Sequence, residues 1–440
     1  MTTRRRAFAL VLAGSLALTG LTACSSSEDE KPVDTSKAQG EITWMTQSLQ
    51  KDFGDFFRER IAKFEKENPG TKINWVDESG GPEFDQKMMQ QAVNGKMADV
   101  INVPSPTILA LTKADQLLDL DKALPESGKR FIPDIWKSVG MGKDGAHTAF
   151  PWYFSPFVTT YNKQVFRAAG LDENTPPKTM DEMFEFSHKI AKTGEYNALW
   201  GNANWYLISQ WHGMGVKIMN DEGTEFTFAK DPNALKWMNE MISLYKDGGI
   251  PKDSLTGELD PGKEYLNGRL AFGTPNPGFI RNIKKNNPEV YKQTGVGSYP
   301  INPGLKYEFS GQFIAVNAKT KNKALALKWA DYITSAEEEL AWTRDGGAVI
   351  FPGATEALDN LIKNPPEAVA KDPVFKQTYE VAAKEAKNSE AFKASFYVTG
   401  QVKNALVENV NKGIRGEVSA EQALENAQKE MNELLSALNN

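Results

Sequence analysis

The chain has 440 residues, 40 % hydrophobic and 10 % aromatic, with 57 acidic side chains against 51 basic ones and a single cysteine. A formal charge of −6 with only short basic pairs such as Lys284-Lys285 after the N-terminus argues against nucleic acid or anionic lipid as the main partner, since both are held through Lys/Arg patches. One cysteine excludes an intrachain disulfide, and a chain of this length normally divides into two or more domains.

The N-terminus carries a processing signal. Arg4, Arg5 and Arg6 form a positive region, Ala7 to Leu21 an apolar run, and Leu21-Thr22-Ala23-Cys24 a small-residue cleavage point that ends on the cysteine. This reads as a bacterial lipoprotein signal over residues 1–23, with Cys24 as the lipidated residue. The apolar run is too short to cross a bilayer of about 30 Å as a helix. An ordinary secretory signal followed by an incidental cysteine is the alternative. Loss of the three arginines would deepen the formal charge to −9. Residues 24–40 hold almost no large apolar side chains and are expected to form a disordered tether.

The first ordered stretch, Glu41-Ile-Thr-Trp-Met, reads as a strand. A helix follows in which Phe53, Phe56/Phe57, Ile61 and Phe64 share one face, stopped by Asn68-Pro69-Gly70. Ile73 to Val76 is a second strand, Phe84, Met88 and Ala92 mark a second helix, and Asp99 to Val103 is an apolar run suited to a buried parallel strand. The pattern is βαβαβ. Thr179/Glu182, Ser335/Glu338 and Ser419/Gln422 have capping-box spacing. Asp231-Pro232 opens a helix with Leu235, Met238, Met241/Ile242 and Tyr245 on its apolar face, and Gly248-Gly249 closes it. Ala423, Ala427, Met431, Leu434 and Leu438 stripe the last helix, while Leu270 to Phe272 and Phe313 to Val316 read as strands.

Several segments in fixed order resemble the extracellular solute-binding proteins of bacterial ABC importers, in the carbohydrate-binding, maltodextrin-type cluster. They include Phe64-Glu-Lys-Glu-Asn-Pro-Gly-Thr-Lys-Ile, Ala98-Asp-Val-Ile-Asn-Val, Leu117-Leu-Asp-Leu-Asp, Phe150-Pro-Trp-Tyr, Tyr161-Asn-Lys-Gln-Val-Phe, Ala169-Gly-Leu-Asp and Pro176-Pro-Lys-Thr-Met-Asp-Glu. Gly311-Gln-Phe-Ile-Ala-Val-Asn, Ala324-Leu-Ala-Leu-Lys-Trp-Ala, Thr334-Ser-Ala-Glu-Glu and Gly346-Gly-Ala-Val-Ile-Phe-Pro continue the series. The resemblance implies two doubly wound α/β lobes joined by hinge strands, crossed three times by the chain, with a ligand cleft between them. Lobe one would be 40–154 plus 274–334 and lobe two 155–273 plus 335–440. It further implies a carbohydrate ligand, permease partners, no cofactor and no metal, and a monomer anchored by lipid on the outer face of a cell membrane in a bacterium without an outer membrane.

Sugars need planar aromatics for their C–H faces and amides or carboxylates for their hydroxyls. Trp152-Tyr153, Asn204-Trp205-Tyr206 and Trp211 lie between or at the ends of predicted elements, where binding groups concentrate. By the resemblance, Ser155 lies at the first crossing, Asn204 and Trp205 on a lobe-two loop, and Tyr397 is a late stacking aromatic. Lobe one offers the loops after its strands, with Gln47, Ser48, Glu78 and Ser105, as open α/β sheets do beyond their strand ends. Gly311 and Gln312 stand in a motif of the resemblance, and Thr274 to Phe279, with Asn276 and Phe279, replaces a loop that commonly carries tryptophan in the family. Blander readings stand beside these: Gln47 and Ser105 as helix caps, Glu78 as a solvated carboxylate, Trp152 and Trp211 as hinge plugs. Trp44, Trp75, Trp237, Trp329 and Trp342 fall at core positions.

Enzyme signatures are absent: the three histidines have no zinc spacing, and neither a nucleophile elbow nor a phosphate loop occurs. A binding protein is expected, with a glycerophospho-compound, polyamine or peptide as the alternative ligand and a carboxylate-pair glycosidase as the remote one.

Overall fold

The computed structural model describes residues 32–81, 83–201, 206–256, 260–309, 311–345 and 350–439. The first expected strand is β1, Gly40–Gln47. The helix Gln50–Glu67 follows and buries Phe57, Ile61 and Phe64. It stops where the sequence says: the Asn68 N–H returns to the Phe64 carbonyl, and Gly70 takes a φ of 89°, a conformation that side chains resist. Then come β2 (Thr71–Glu78), the helix Phe84–Val93 with Phe84, Met88 and Ala92 buried, and β3 (Val100–Pro104). β1 pairs in parallel with both β2 and β3.

The remaining strands are β4 (Ala149–Phe154), β5 (Val158–Asn162), β6 (Thr294–Ser298), β7 (Tyr307–Glu308), β8 (Gly311–Val316), β9 (Phe351–Pro352) and β10 (Ser389–Glu390). One sheet runs β2-β1-β3-β8-β4-β9, with β8 antiparallel to β3 and β4. A strand from late in the chain therefore sits inside the βαβαβ body. Around this sheet pack Trp44, Phe57, Phe150, Trp152, Trp329 and Trp342 on one side, and Ile101, Val103, Ile108 and Phe313 on the other.

A second core gathers Tyr161 to Phe272 with Ala394 to Leu435. Its sheet is the antiparallel pair β5-β6, extended by single bridges Tyr161–Phe272 and Asn197–Leu270, so the expected strand at Leu270 to Phe272 is reduced to bridges. The helix Pro232–Lys246 begins as expected, the Asp231 carboxylate accepting the Asn233 and Ala234 N–H groups. Its buried face is Ala234, Trp237, Met238, Met241 and Leu244, turned slightly from the expected one. The last helix, Ala420–Asn439, buries Ala423, Ala427, Met431 and Leu435.

Each expected capping box keeps its hydroxyl half: Thr179, Ser335 and Ser419 accept the N–H of Glu182, Glu338 and Gln422 at 3.2, 3.3 and 3.1 Å. The reciprocal half goes elsewhere. Glu182 accepts from the Lys178 N–H, Glu338 pairs with Lys63, and Gln422 donates to Asn426. Of the five tryptophans expected in the core, Trp44, Trp237, Trp329 and Trp342 are fully buried, while half-buried Trp75 stacks on Trp44 at 5.5 Å.

The strand pairings cut across the expected division of the chain at two points. β6 hydrogen-bonds to β5, beyond the first crossing, and β9 hydrogen-bonds to β4, before it. Within the core on the Ile101 side of the sheet, Phe154 lies 4.6 Å from Phe309, which lies 5.7 Å from Phe313, which lies 6.1 Å from Phe396. This file of rings, with the parallel pair β7-β10, ties the crossings together.

Candidate functional site

A cavity of about 1140 Å³ opens between these cores. That is at the upper end of the ~300–1,000 Å³ of common small-molecule pockets. From the six-stranded sheet it receives the ends of β1 (Gln47, Ser48), the turn Gly80-Gly81, Pro104 to Pro106 after β3, Tyr153 on β4 and Gln312 on β8. Ser155, Glu308, Phe309 and Gly311 come from the crossings. The far wall is one stripe of the helix Gly400–Ile414 and its end: Lys403, Asn404, Val407, Glu408, Asn411 and Arg415.

The structure brings together seven of the expected residues: Gln47, Ser48, Ser105, Tyr153, Ser155, Gly311 and Gln312. Ser48 holds the turn opposite by accepting the Gly80 N–H at 3.1 Å. Gly311 has no room for a side chain, because a Cβ there would fall 2.1 Å from the Phe309 ring.

Other expected residues do not reach the cavity. Trp152 is buried against Phe57 and Trp342, and its Nε1–H donates to the Ile333 carbonyl at 3.1 Å. Trp211 is buried between Phe228 and Trp237. Both rings read from the sequence as loop-end aromatics, but one sits on a strand of the central sheet and the other on the inner face of the helix Leu207–Met214. Glu78 pairs with Lys87, and it is the glycines beyond it that line the cavity. Asn276 accepts the Gly278 N–H at 2.7 Å in a turn, and Phe279 packs on Tyr265. Tyr397 is half-buried under the Lys113 ammonium, 4.8 Å from its ring, while its neighbours Ser395 and Val398 face the cavity. Asn204, Trp205 and Cys24 lie outside the described residues.

Sequence reasoning missed the far wall. Lys403, Asn404, Glu408, Asn411 and Arg415 recur at helical spacing, and in one dimension such a polar stripe cannot be told from a solvated face. It also missed Asp85 and Glu308. Asp85 accepts from the Thr107 hydroxyl and, at 3.2 Å, from the Gly400 N–H at the start of the far-wall helix, so it spans the cavity. Glu308 accepts from the Ser209 hydroxyl. Burial pushes the Glu308 carboxyl up to about 7, with the Ser209 bond pulling the other way.

Burial also lowers the Lys403 ammonium, against the opposing field of Asp85. Glu408 pairs with Lys412 at 2.8 Å and Arg415 with Glu417 at 2.6 Å. Among the described residues no group of three or more His, Cys, Asp or Glu side chains could hold a metal.

Residues 47–339 match the sequence pattern of the bacterial extracellular solute-binding proteins. The chain belongs to this family. Its relatives include the sn-glycerol-3-phosphate-binding periplasmic protein of Pectobacterium atrosepticum, 27 % identical over 271 residues that cover 54 % of this chain and 59 % of the relative. The protein of the same name from Escherichia coli K12 is 23 % identical over 365 residues, 72 % of this chain and 80 % of that one.

Among solved structures, the cyclic alpha-maltosyl-1,6-maltose binding protein of Arthrobacter globiformis aligns with a TM-score of 0.72 at 17 % identity, covering 91 % of this chain and all of its own. The GacH receptor of Streptomyces glaucescens, solved with acarbose, aligns at 0.70 and 16 % identity, over 90 % of this chain and 99 % of that one. At such identities the structures establish the fold alone: two α/β lobes joined by hinge strands around a cleft. Family and neighbours are binding proteins, and the cavity above occupies the cleft.

Proposed function

We propose that this solute-binding protein captures a neutral carbohydrate in the cleft and delivers it to the permease of an ABC importer, as a monomer tethered outside the cell membrane by lipid on Cys24. One observation carries the ligand class. Each charged side chain on the described cleft wall, Asp85, Glu308, Lys403, Glu408 and Arg415, already has an interaction within the protein. The rest of the polar lining is neutral, the amides of Gln47, Gln312, Asn404 and Asn411 and the hydroxyls of Ser48 and Ser105, and those that bond within the protein, as Ser48 does to the Gly80 N–H, keep a further proton or lone pair for a solute. Such groups match sugar hydroxyls, and displacing an internal partner for an anion would cost about 1–3 kcal/mol. Phe84, Tyr153 and Phe309 supply ring surface.

A glycerophospho-ligand is the second reading, favoured by what the curated relatives are named for and by Lys403 and Arg415 on the far wall. Melting temperature measured with maltose, maltotriose, cellobiose or sn-glycerol 3-phosphate separates the two. A ligand at 100 times its dissociation constant stabilises by about 2.7 kcal/mol. A rise with a saccharide and none with the phosphate supports the first reading, and the reverse replaces it with the second.

A further inference from the structure

Three primary amides stand in file across β1, β3 and β8. The Gln47 backbone N–H, which can only donate, reaches Asn102 Oδ1 at 3.2 Å. The other terminal atom of Asn102 is therefore Nδ2, and it reaches the Phe313 carbonyl, which can only accept, at 3.4 Å. Asn102 is thus oriented independently from both sides. Its Nδ2 also donates to Gln312 Oε1 at 3.0 Å, which turns Gln312 Nε2 toward Gln47 Oε1 at 3.1 Å. Gln47 Nε2 is left on the cleft side, beside Gly80, where a Cβ would come within 3.2 Å of it. Gln47 and Gln312 line the cavity, whereas Asn102 is fully buried behind them.

We infer that Asn102 is a positioning residue that sets the hydrogen-bonding sense of the cleft: through Gln312 it holds Gln47 so that two N–H donors, and no acceptor, meet a solute oxygen. The preferred solute presents at this wall an oxygen that can only accept, such as the ring or glycosidic oxygen of a sugar. The inference rests on the reading that this cleft is the solute site. A buried amide pinned at both ends cannot turn over without stranding a donor against a donor, so the sense is fixed before any solute arrives.

The test inverts the file from its buried end. In Asn102→Asp, studied in mildly alkaline buffer so that the carboxylate is ionised, residue 102 accepts from both the Gln47 N–H and Gln312 Nε2. Gln312 Oε1 then accepts from Gln47 Nε2, and Gln47 Oε1 faces the cleft. Gln312→Glu forces the same turn of Gln47 without a buried charge and serves if the first variant fails to fold. Side-chain amide hydrogen exchange, followed on isotope-labelled protein without ligand, reads the orientation directly. The Gln47 amide should exchange as an exposed group in the parent protein and slow by about tenfold in either variant.

Equal Gln47 exchange rates in the parent and in folded variants would overturn the relay. Affinity for whichever of maltose, maltotriose, cellobiose and sn-glycerol 3-phosphate the parent binds should fall about tenfold in Asn102→Asp, since an acceptor now meets an acceptor. Slowed exchange with unchanged affinity would overturn the role of the donors in binding. If the parent binds none of these probes, the proposed function fails, while the exchange rates still decide the relay.

Discussion

Trp211 and Trp152 show how a single residue type carries two meanings. Placed near element ends in the sequence, each looked like a stacking platform, yet each has its ring enclosed by other aromatics. Trp211→Ala should therefore lower stability by about 3–5 kcal/mol in urea unfolding, the cost of emptying a packed aromatic site. Solute affinity of the molecules that remain folded should be unchanged, and a selective loss of affinity would return the ring to the site.

Glu308 makes the opposite point, a carboxyl that no motif marks but that burial raises from 4.5 to about 7. Between those values the native protein keeps a proton that the unfolded chain has released. Its contribution to stability is fully present at acid pH and is lost as pH rises through the folded value. Buried Glu339 and Glu385 are raised in the same direction. Glu308→Gln keeps the neutral form, so it should match the parent near pH 4.5 and melt higher above about pH 7. A difference between the two melting curves that does not change across that range would refute the assignment.

At the scale of elements, the helix Gly400–Ile414 supplies the far wall of the site. Thr399 caps it, accepting the Val402 N–H at 3.4 Å, and its first N–H is taken by Asp85 from the other side of the cleft. A carboxylate at a helix N-terminus is favoured by the exposed N–H groups and the helix dipole. Here that local preference also joins two parts of the molecule far apart in sequence. Asp85→Ala should cost about 1–2 kcal/mol, a charged hydrogen bond and its dipole contribution. It should also speed hydrogen exchange at the Gly400 amide; an unchanged Gly400 rate would show that Asp85 does not hold the helix. The sequence reading did not single out this helix, because its cleft-facing stripe is polar and carries no motif.

For the whole molecule, the family and the two-lobed fold were legible in advance, because they are written in many weak local patterns spread over most of the chain. The division into lobes was less so: β6 and β9 each hydrogen-bond across the expected boundary, and strand pairing depends on partners more than 100 residues away in β5 and β4. The membrane tether is a prediction at this scale. Cys24→Ser should abolish fatty-acid labelling and release the protein from the membrane fraction; labelling that persists would place the lipid elsewhere. Among the described residues no helix is long and apolar enough to cross a membrane.

The sequence by itself determined the opening βαβαβ run, the helix Pro232–Lys246 and the last helix, because their starts and stops follow from periodicity, caps and breakers that act within a few residues. It also pointed to Gln47, Ser48 and Ser105, because open α/β sheets place their strand ends at a crevice whatever the ligand, whereas Ser155, Gly311 and Gln312 came from the family resemblance. Only the tertiary structure decided which aromatics were core, which polar stripe became a cleft wall, and which way three amides point. Those outcomes depend on burial and on hydrogen-bond partners brought together from β1, β3, β8 and the helix Gly400–Ile414, and no local stretch of chain contains that information.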